Sequence, residues 1–195
     1  FTYDAFGAAH VVINNAGLAL GKSAWETTLA EWDRMIGVNV YGVIHGIRSF
    51  VPRMLAGGDE GRIVNVASAA GLLSFASMAA YNVTKFSVVT LSEGLQLDFS
   101  MRKTRLGVTL VCPAWVKTGI MEHVEPCADA ITEKIRSKVA AAVEGGIPAE
   151  TVANEVFAAV QEGRFWVITH PMTKAGVKVR FDDFVEGRPP TPLSM

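Results

Sequence analysis

Residues 62–85 read Arg62-Ile-Val-Asn-Val-Ala-Ser68-Ala-Ala-Gly71-Leu-Leu-Ser-Phe-Ala-Ser-Met-Ala-Ala-Tyr81-Asn-Val-Thr-Lys85. Residues 62–67 form an apolar, β-branched run, which reads as a buried strand. Over residues 78–101 the apolar positions fall at three- and four-residue steps (Val88, Leu91, Leu95, Phe99), which predicts a helix. Residues 63–84 carry no charge and are long enough to cross a bilayer. Asn65, Ser68, Ser74, Ser77, Asn82 and Thr84 are scattered through them, so a strand–loop–helix is expected and no membrane segment.

The same alternation extends outward. Residues 10–14 read as a strand closed by Asn14-Asn15-Ala16-Gly17. Thr28-Leu-Ala-Glu31 is a capping box that starts a helix near Leu29, running to about Ala56 and stopped by Gly57-Gly58. Residues 106–112 are a third strand, ended by Pro113. Irregular chain follows to about Cys127, then a helix to Glu144 and another from Pro148 to Glu162. Residues 165–169 are a fourth strand with Trp166 expected in the core, and a helix over 171–185 precedes a loose Pro-rich tail. Residues 1–6 read as the last turns of a helix, with Gly7 as its C-cap. Strands alternating with helices imply an α/β fold, a doubly wound parallel sheet with right-handed crossovers. Strands apolar almost throughout imply cover on both faces.

Composition agrees. Of 195 residues, 50% are hydrophobic and 19% charged, which excludes a disordered chain. A net charge of −1 gives a polyanion no purchase, so no nucleic-acid partner is expected. Two cysteines, Cys112 and Cys127, cannot staple a domain of this size and read as thiols of a reducing, cytoplasmic compartment. No signal peptide is visible in residues 1–10. The four histidines show no ligand spacing, so no metal is expected, and His45 reads as packing or interface.

Chemistry concentrates in four places. Tyr81 and Lys85 are four apart on a helix, hence on one face, where an ammonium can sit near a phenol oxygen. A phenol of pKa about 10 needs roughly 4 kcal/mol of help to act as a base near pH 7. A nearby cation in a partly dry cleft supplies that order of energy. Taken alone, such a pair is more often an aromatic packed on a lysine stem. Ser68 ends its strand where open parallel sheets bind ligands, thirteen residues before Tyr81, and the two hydroxyls can converge on one reacting oxygen. Asn14 to Gly17 is a turn whose small residues let a ligand approach the backbone. Asn39 is a mid-helix amide, either locally bonded or inserted for a purpose.

These residues, together with Pro113-Ala-Trp-Val-Lys-Thr118, occur in the order seen in the short-chain dehydrogenase/reductase family, classical type, which the chain resembles over nearly its whole length. The resemblance implies a nicotinamide-binding Rossmann domain with NAD or NADP as cofactor and a small alcohol or carbonyl as substrate. Tyr81 would be the acid/base. Lys85 would lower its pKa and bond the nicotinamide ribose. Ser68 would hold the substrate oxygen, and Asn39 would anchor a relay water. Asn15, Ala16 and Gly17 would line the adenosine side, with Pro113, Val116 and Thr118 at the nicotinamide. Trp115, Met121 and His123 fall in the family's substrate lid. The long helices 29–56 and 78–101 match those that pair between family subunits, implying a homodimer or homotetramer.

The sequence departs from the family twice. Its usual Pro-Gly is Pro113-Ala114, and no glycine-rich phosphate loop is present. The expectation is a partial domain over residues 1–186, with a lid over 119–147 and a tail over 187–195. On that reading two to three units of roughly 30 residues lie upstream, and the piece alone would be inactive. Two other readings compete. One is a non-catalytic nicotinamide sensor of the same fold. The other is a P-loop at Gly17-Leu-Ala-Leu-Gly21-Lys22-Ser23, one residue short between its glycines.

Overall fold

The computed structural model describes residues 1–122 and 124–192. In chain order the elements are α1 (Thr2–Phe6), β1 (Val11–Asn14), α2 (Leu29–Ile36), α3 (Gly42–Gly57), β2 (Gly61–Val66), α4 (Ala79–Met101), β3 (Leu106–Val111), β4 (Val116–Lys117), α5 (Ala130–Glu144), β5 (Ile147–Pro148), α6 (Ala149–Gln161), β6 (Trp166–Val167) and α7 (Pro171–Val185). A parallel sheet runs β1-β2-β3-β6, flanked by helices in a Rossmann-like arrangement.

Period-two alternation sorts the strand residues between the faces. Val12, Ile63 and Val108 meet Val51 and Met54 of α3 and Phe99 of α4. Val64, Val111 and Val167 face Ala159 of α6 on the other side. Ile63, Val64, Val108 and Leu110 are wholly buried, each stabilising the fold by about 1.5–3 kcal/mol. Polar groups in this core are paired. Asn14 Nδ2 donates to Asn65 Oδ1 (2.8 Å), and Asn65 Nδ2 to Ser92 Oγ (2.9 Å). Cover on both faces holds for β2 and β3. In β1, Val11 and Ile13 are 46% and 58% exposed, because the α6 cluster reaches β2, β3 and β6 only.

The Thr28 capping box forms as read, with Thr28 N–H donating to Glu31 at 2.8 Å and Glu31 N–H to Thr28 Oγ1 at 3.3 Å. The helix over 29–56 is not uniform. A π-turn, Gly37–Tyr41, joins α2 to α3, with Asn39 buried inside it. Gly7 caps α1 in the left-handed region, as expected (φ 73°).

Three expectations are corrected. The fourth strand shrinks to β6, and Trp166 points outward at 39% exposure while Val167 points in, as strand alternation requires. Two short strands, β4 and β5, pair Val116 with Ile147 and Lys117 with Pro148, bringing the two ends of the 119–147 segment together. The tail is held as far as Thr191, whose N–H and hydroxyl donate to the buried Asp183 carboxylate at 2.8 and 3.2 Å. No helix among the described residues is long and apolar enough to cross a membrane. Both cysteines are free, Cys112 buried and Cys127 half-buried.

Candidate active site

The carboxyl ends of β1, β2 and β3 open into a cleft of about 1350 Å³. It is lined by Asn15, Ala16, Gly17, Ser68, Tyr81, Lys85, Pro113, Val116 and Thr118, so the expected site residues share one space with the exception of Asn39. Asn39 stands behind the wall. Its Nδ2 donates to Leu18 O and to Thr84 Oγ1, both at 3.0 Å, while Leu18 N–H donates to its Oδ1 at 2.8 Å. The mid-helix amide is therefore neither solvated nor bonded within its own helix. It pins the chain leaving β1. A π-turn, with its displaced backbone ladder, is a common feature of functional sites.

Ser68 follows β2 and caps a 3₁₀ turn, Ala69–Gly71, its Oγ accepting from Ala70 N–H at 3.1 Å. That turn is wedged under α4, where a Cβ on Gly71 would lie 2.6 Å from the Lys85 carbonyl oxygen. Chain 72–78 then leads into α4, with Asn82 Nδ2 fastened to Phe75 O at 2.8 Å and Ser77 in the left-handed region (φ 55°). Tyr81 and Lys85 share one face of α4, the ammonium 5.7 Å from the phenol ring centroid. Thr84, between them, is fully buried and donates to Tyr81 O at 2.9 Å. It is a supporting residue that its type alone did not mark, although its place beside Lys85 on the helix was a usable signal.

The electrostatics differ from the expectation. Burial pushes the Tyr81 phenol above its ordinary value, and the Ser68 hydroxyl pulls it back in part. Lys85 is only 4% exposed, donates to Val66 O at 3.0 Å, and is lowered to about 8 by burial. It remains roughly nine-tenths charged at pH 7. In this structure the lysine does not bring the phenol below its ordinary value, because loss of water outweighs it. Cys112, behind Lys85, is pushed up to about 12 by burial and is an inert thiol.

The remaining candidates divide. Trp115 and Met121 line the cleft, while His123 lies outside the described residues. His45 is exposed and stacks on Tyr41 at 6.1 Å. Ala114 takes no positive φ, so the family's glycine is not needed there for backbone reasons. Residues 17–23 do not build a phosphate loop. No helix begins until Leu29, and Lys22 is closed on Glu31 at 2.5 Å.

A parallel sheet with a ligand cleft beyond its strand ends defines a dinucleotide-type α/β domain. The short chain dehydrogenase family model matches residues 2–128, and the chain belongs to that family of oxidoreductases. It is 28% identical over 180 residues to a CLA biosynthesis dehydrogenase/reductase of Lactiplantibacillus plantarum, covering 86% of this chain and 63% of that protein. It is 32% identical over 136 residues to an NADP-dependent (R)-specific alcohol dehydrogenase of Lentilactobacillus kefiri, covering 70% and 54%. Among solved structures, a short chain dehydrogenase/reductase from Burkholderia phymatum in complex with NAD matches at 39% identity and TM-score 0.92, covering 99% of this chain and 73% of that one. The chain thus spans between 54% and 63% of these two curated relatives.

Proposed function

We propose that the protein interconverts an alcohol and a carbonyl with NAD or NADP. The observation that carries this reading is the meeting of Ser68, Tyr81 and Lys85 in one cleft at the strand ends. The residues fit a nicotinamide cofactor. Gly17 lines the cleft without a side chain, so a ligand can approach its backbone closely. Asn15, Ala16 and Gly17 would hold the adenosine side, and Pro113, Val116 and Thr118 the nicotinamide. When bound, the nicotinamide accepts or supplies the hydride.

In this reading Ser68 orients the substrate oxygen and Tyr81 moves its proton. Acid–base help of that kind is typically worth about 10²–10⁴-fold. The Lys85 ammonium has three donors, one directed at Val66 O, and the others serve the cofactor ribose and the phenolate. Both amide hydrogens of Asn39 are engaged, so a relay water there is held by an Asn39 oxygen.

Residues 1–186 form part of one nicotinamide-binding domain, with 119–147 as the lid and 187–195 as the tail. The free thiols suit a cytoplasmic protein, and the exposed Tyr41, Leu97 and Met101 suit helix pairing in a homodimer or homotetramer. The test is Tyr81→Phe in the whole protein. It should cut turnover at least a hundredfold and leave the cofactor Kd within about threefold. Unchanged turnover would overturn the reading, and a whole protein that binds cofactor but turns over no alcohol or carbonyl would be the sensor.

A further inference from the structure

Among the described residues, one wall of the cleft is apolar and carries no charge. Phe75 and Met78 approach from the chain before α4, Trp115 and Met121 from the segment after β3, and Val139 and Val143 from α5. All pack with Tyr81 in one cluster. Lys85 is the single charged side chain among the described residues that line the cleft, and it is held against Val66 O beside Gly17, not in this wall. Three basic groups on the framing segments are closed on carboxylates. Lys22 meets Glu31 at 2.5 Å, Arg136 meets Glu133 at 2.6 Å and Lys117 meets Glu144 at 2.5 Å. Lys134 and Lys138 are exposed and do not line the cleft.

An anionic substituent placed here would lose its water and gain no cation from the described residues, which buried carboxylates do not tolerate. Aromatic rings flanked by thioethers accept flat apolar groups well. Building on the alcohol–carbonyl reading, we infer that the substrate is an uncharged alcohol or ketone bearing an aryl or similarly flat apolar group. Hydroxy acids and other carboxylates are rejected at the apolar wall.

Three alcohols matched in shape test this on the whole protein: 1-(2-naphthyl)ethanol, 2-hydroxy-2-(2-naphthyl)acetamide and the corresponding hydroxyacetate. The first two should fall within about tenfold of each other in kcat/KM, and the carboxylate at least about a hundredfold lower. Binding is read separately as quenching of Trp115 fluorescence, with Trp115→Phe as the reference. Met121→Arg should raise the carboxylate's kcat/KM at least about tenfold. A carboxylate used as well as the amide overturns the inference and leaves the oxidoreductase reading standing. Selective binding of the neutral compounds without turnover of any supports the wall's preference and overturns the reading. Absence of binding by all three overturns the inference.

Discussion

Asn39 grips Leu18 by both backbone groups, accepting from its N–H at 2.8 Å and donating to its carbonyl at 3.0 Å. A residue in the middle of one helix thereby sets the path of the chain leaving β1, along the edge of the cleft. The π-turn makes this possible by displacing the helix backbone where Asn39 sits, and Thr84 of α4 takes the remaining amide hydrogen.

Removing that grip should loosen the strand end before it unfolds the domain. Asn39→Ala leaves the Leu18 backbone groups and the Thr84 hydroxyl without their partner, at a cost of about 1–3 kcal/mol. Asn39→Asp keeps the acceptor but loses both donors and buries a carboxylate against the Leu18 carbonyl, so it should destabilise at least as much as alanine. Urea denaturation midpoints check the ranking, and equal midpoints for all three would remove Asn39 from this role.

Lys85 gives a pH signature. Its pKa is lowered from 10.5 to about 8, so the unfolded chain binds more protons between those values and stability rises with pH across the window. Below pH 8 the buried cation costs about 3 kcal/mol. Lys85→Met should therefore melt higher than wild type at pH 7, the difference shrinking between pH 8 and 10.5, while turnover is lost. Thermal melts across that range are the measurement, and a constant offset would show that burial of the charge is not the cause.

Gly71 tests the packing that joins Ser68 to α4. A Cβ there meets the Lys85 carbonyl, which belongs to a helix backbone and cannot swing away. Gly71→Ala should destabilise by about 1–3 kcal/mol. It should also lower kcat more than it raises KM for the cofactor, since the turn it displaces carries Ser68. Gly94, with open space around its added Cβ, is the control, and Gly94→Ala should be neutral or stabilising.

Asp183 fastens the tail. Its carboxyl is held below the ordinary value, first by the Thr191 N–H. That contribution is present above the unfolded value of 3.8 and is lost as pH falls through the lower folded one. Asp183→Ala should speed hydrogen exchange at the Thr191 amide with little effect on β3. Unchanged exchange would mean that the tail is held by something else.

Much of this was legible along the chain. Strand–helix alternation, the Thr28 capping box and the four-residue spacing of Tyr81 and Lys85 are local patterns, written in neighbouring side chains. They determine the parallel sheet, where its helices begin and which face of α4 carries chemistry. Short elements were not legible. β4, β5 and the fastening of Thr191 to Asp183 depend on partners tens of residues away or on one side chain among many equivalents.

The environment of the site was decided only by the tertiary structure. The sequence names a phenol and a lysine four apart, and it cannot state how much water reaches them. Burial is a sum over every element packed nearby, and here it raises Tyr81 and lowers Lys85, beside a wall that carries no charge among the described residues. Identity and spacing of reactive groups are properties of one segment. Their acidity, and what they tolerate as a neighbour, are properties of the dielectric that the whole fold builds around them.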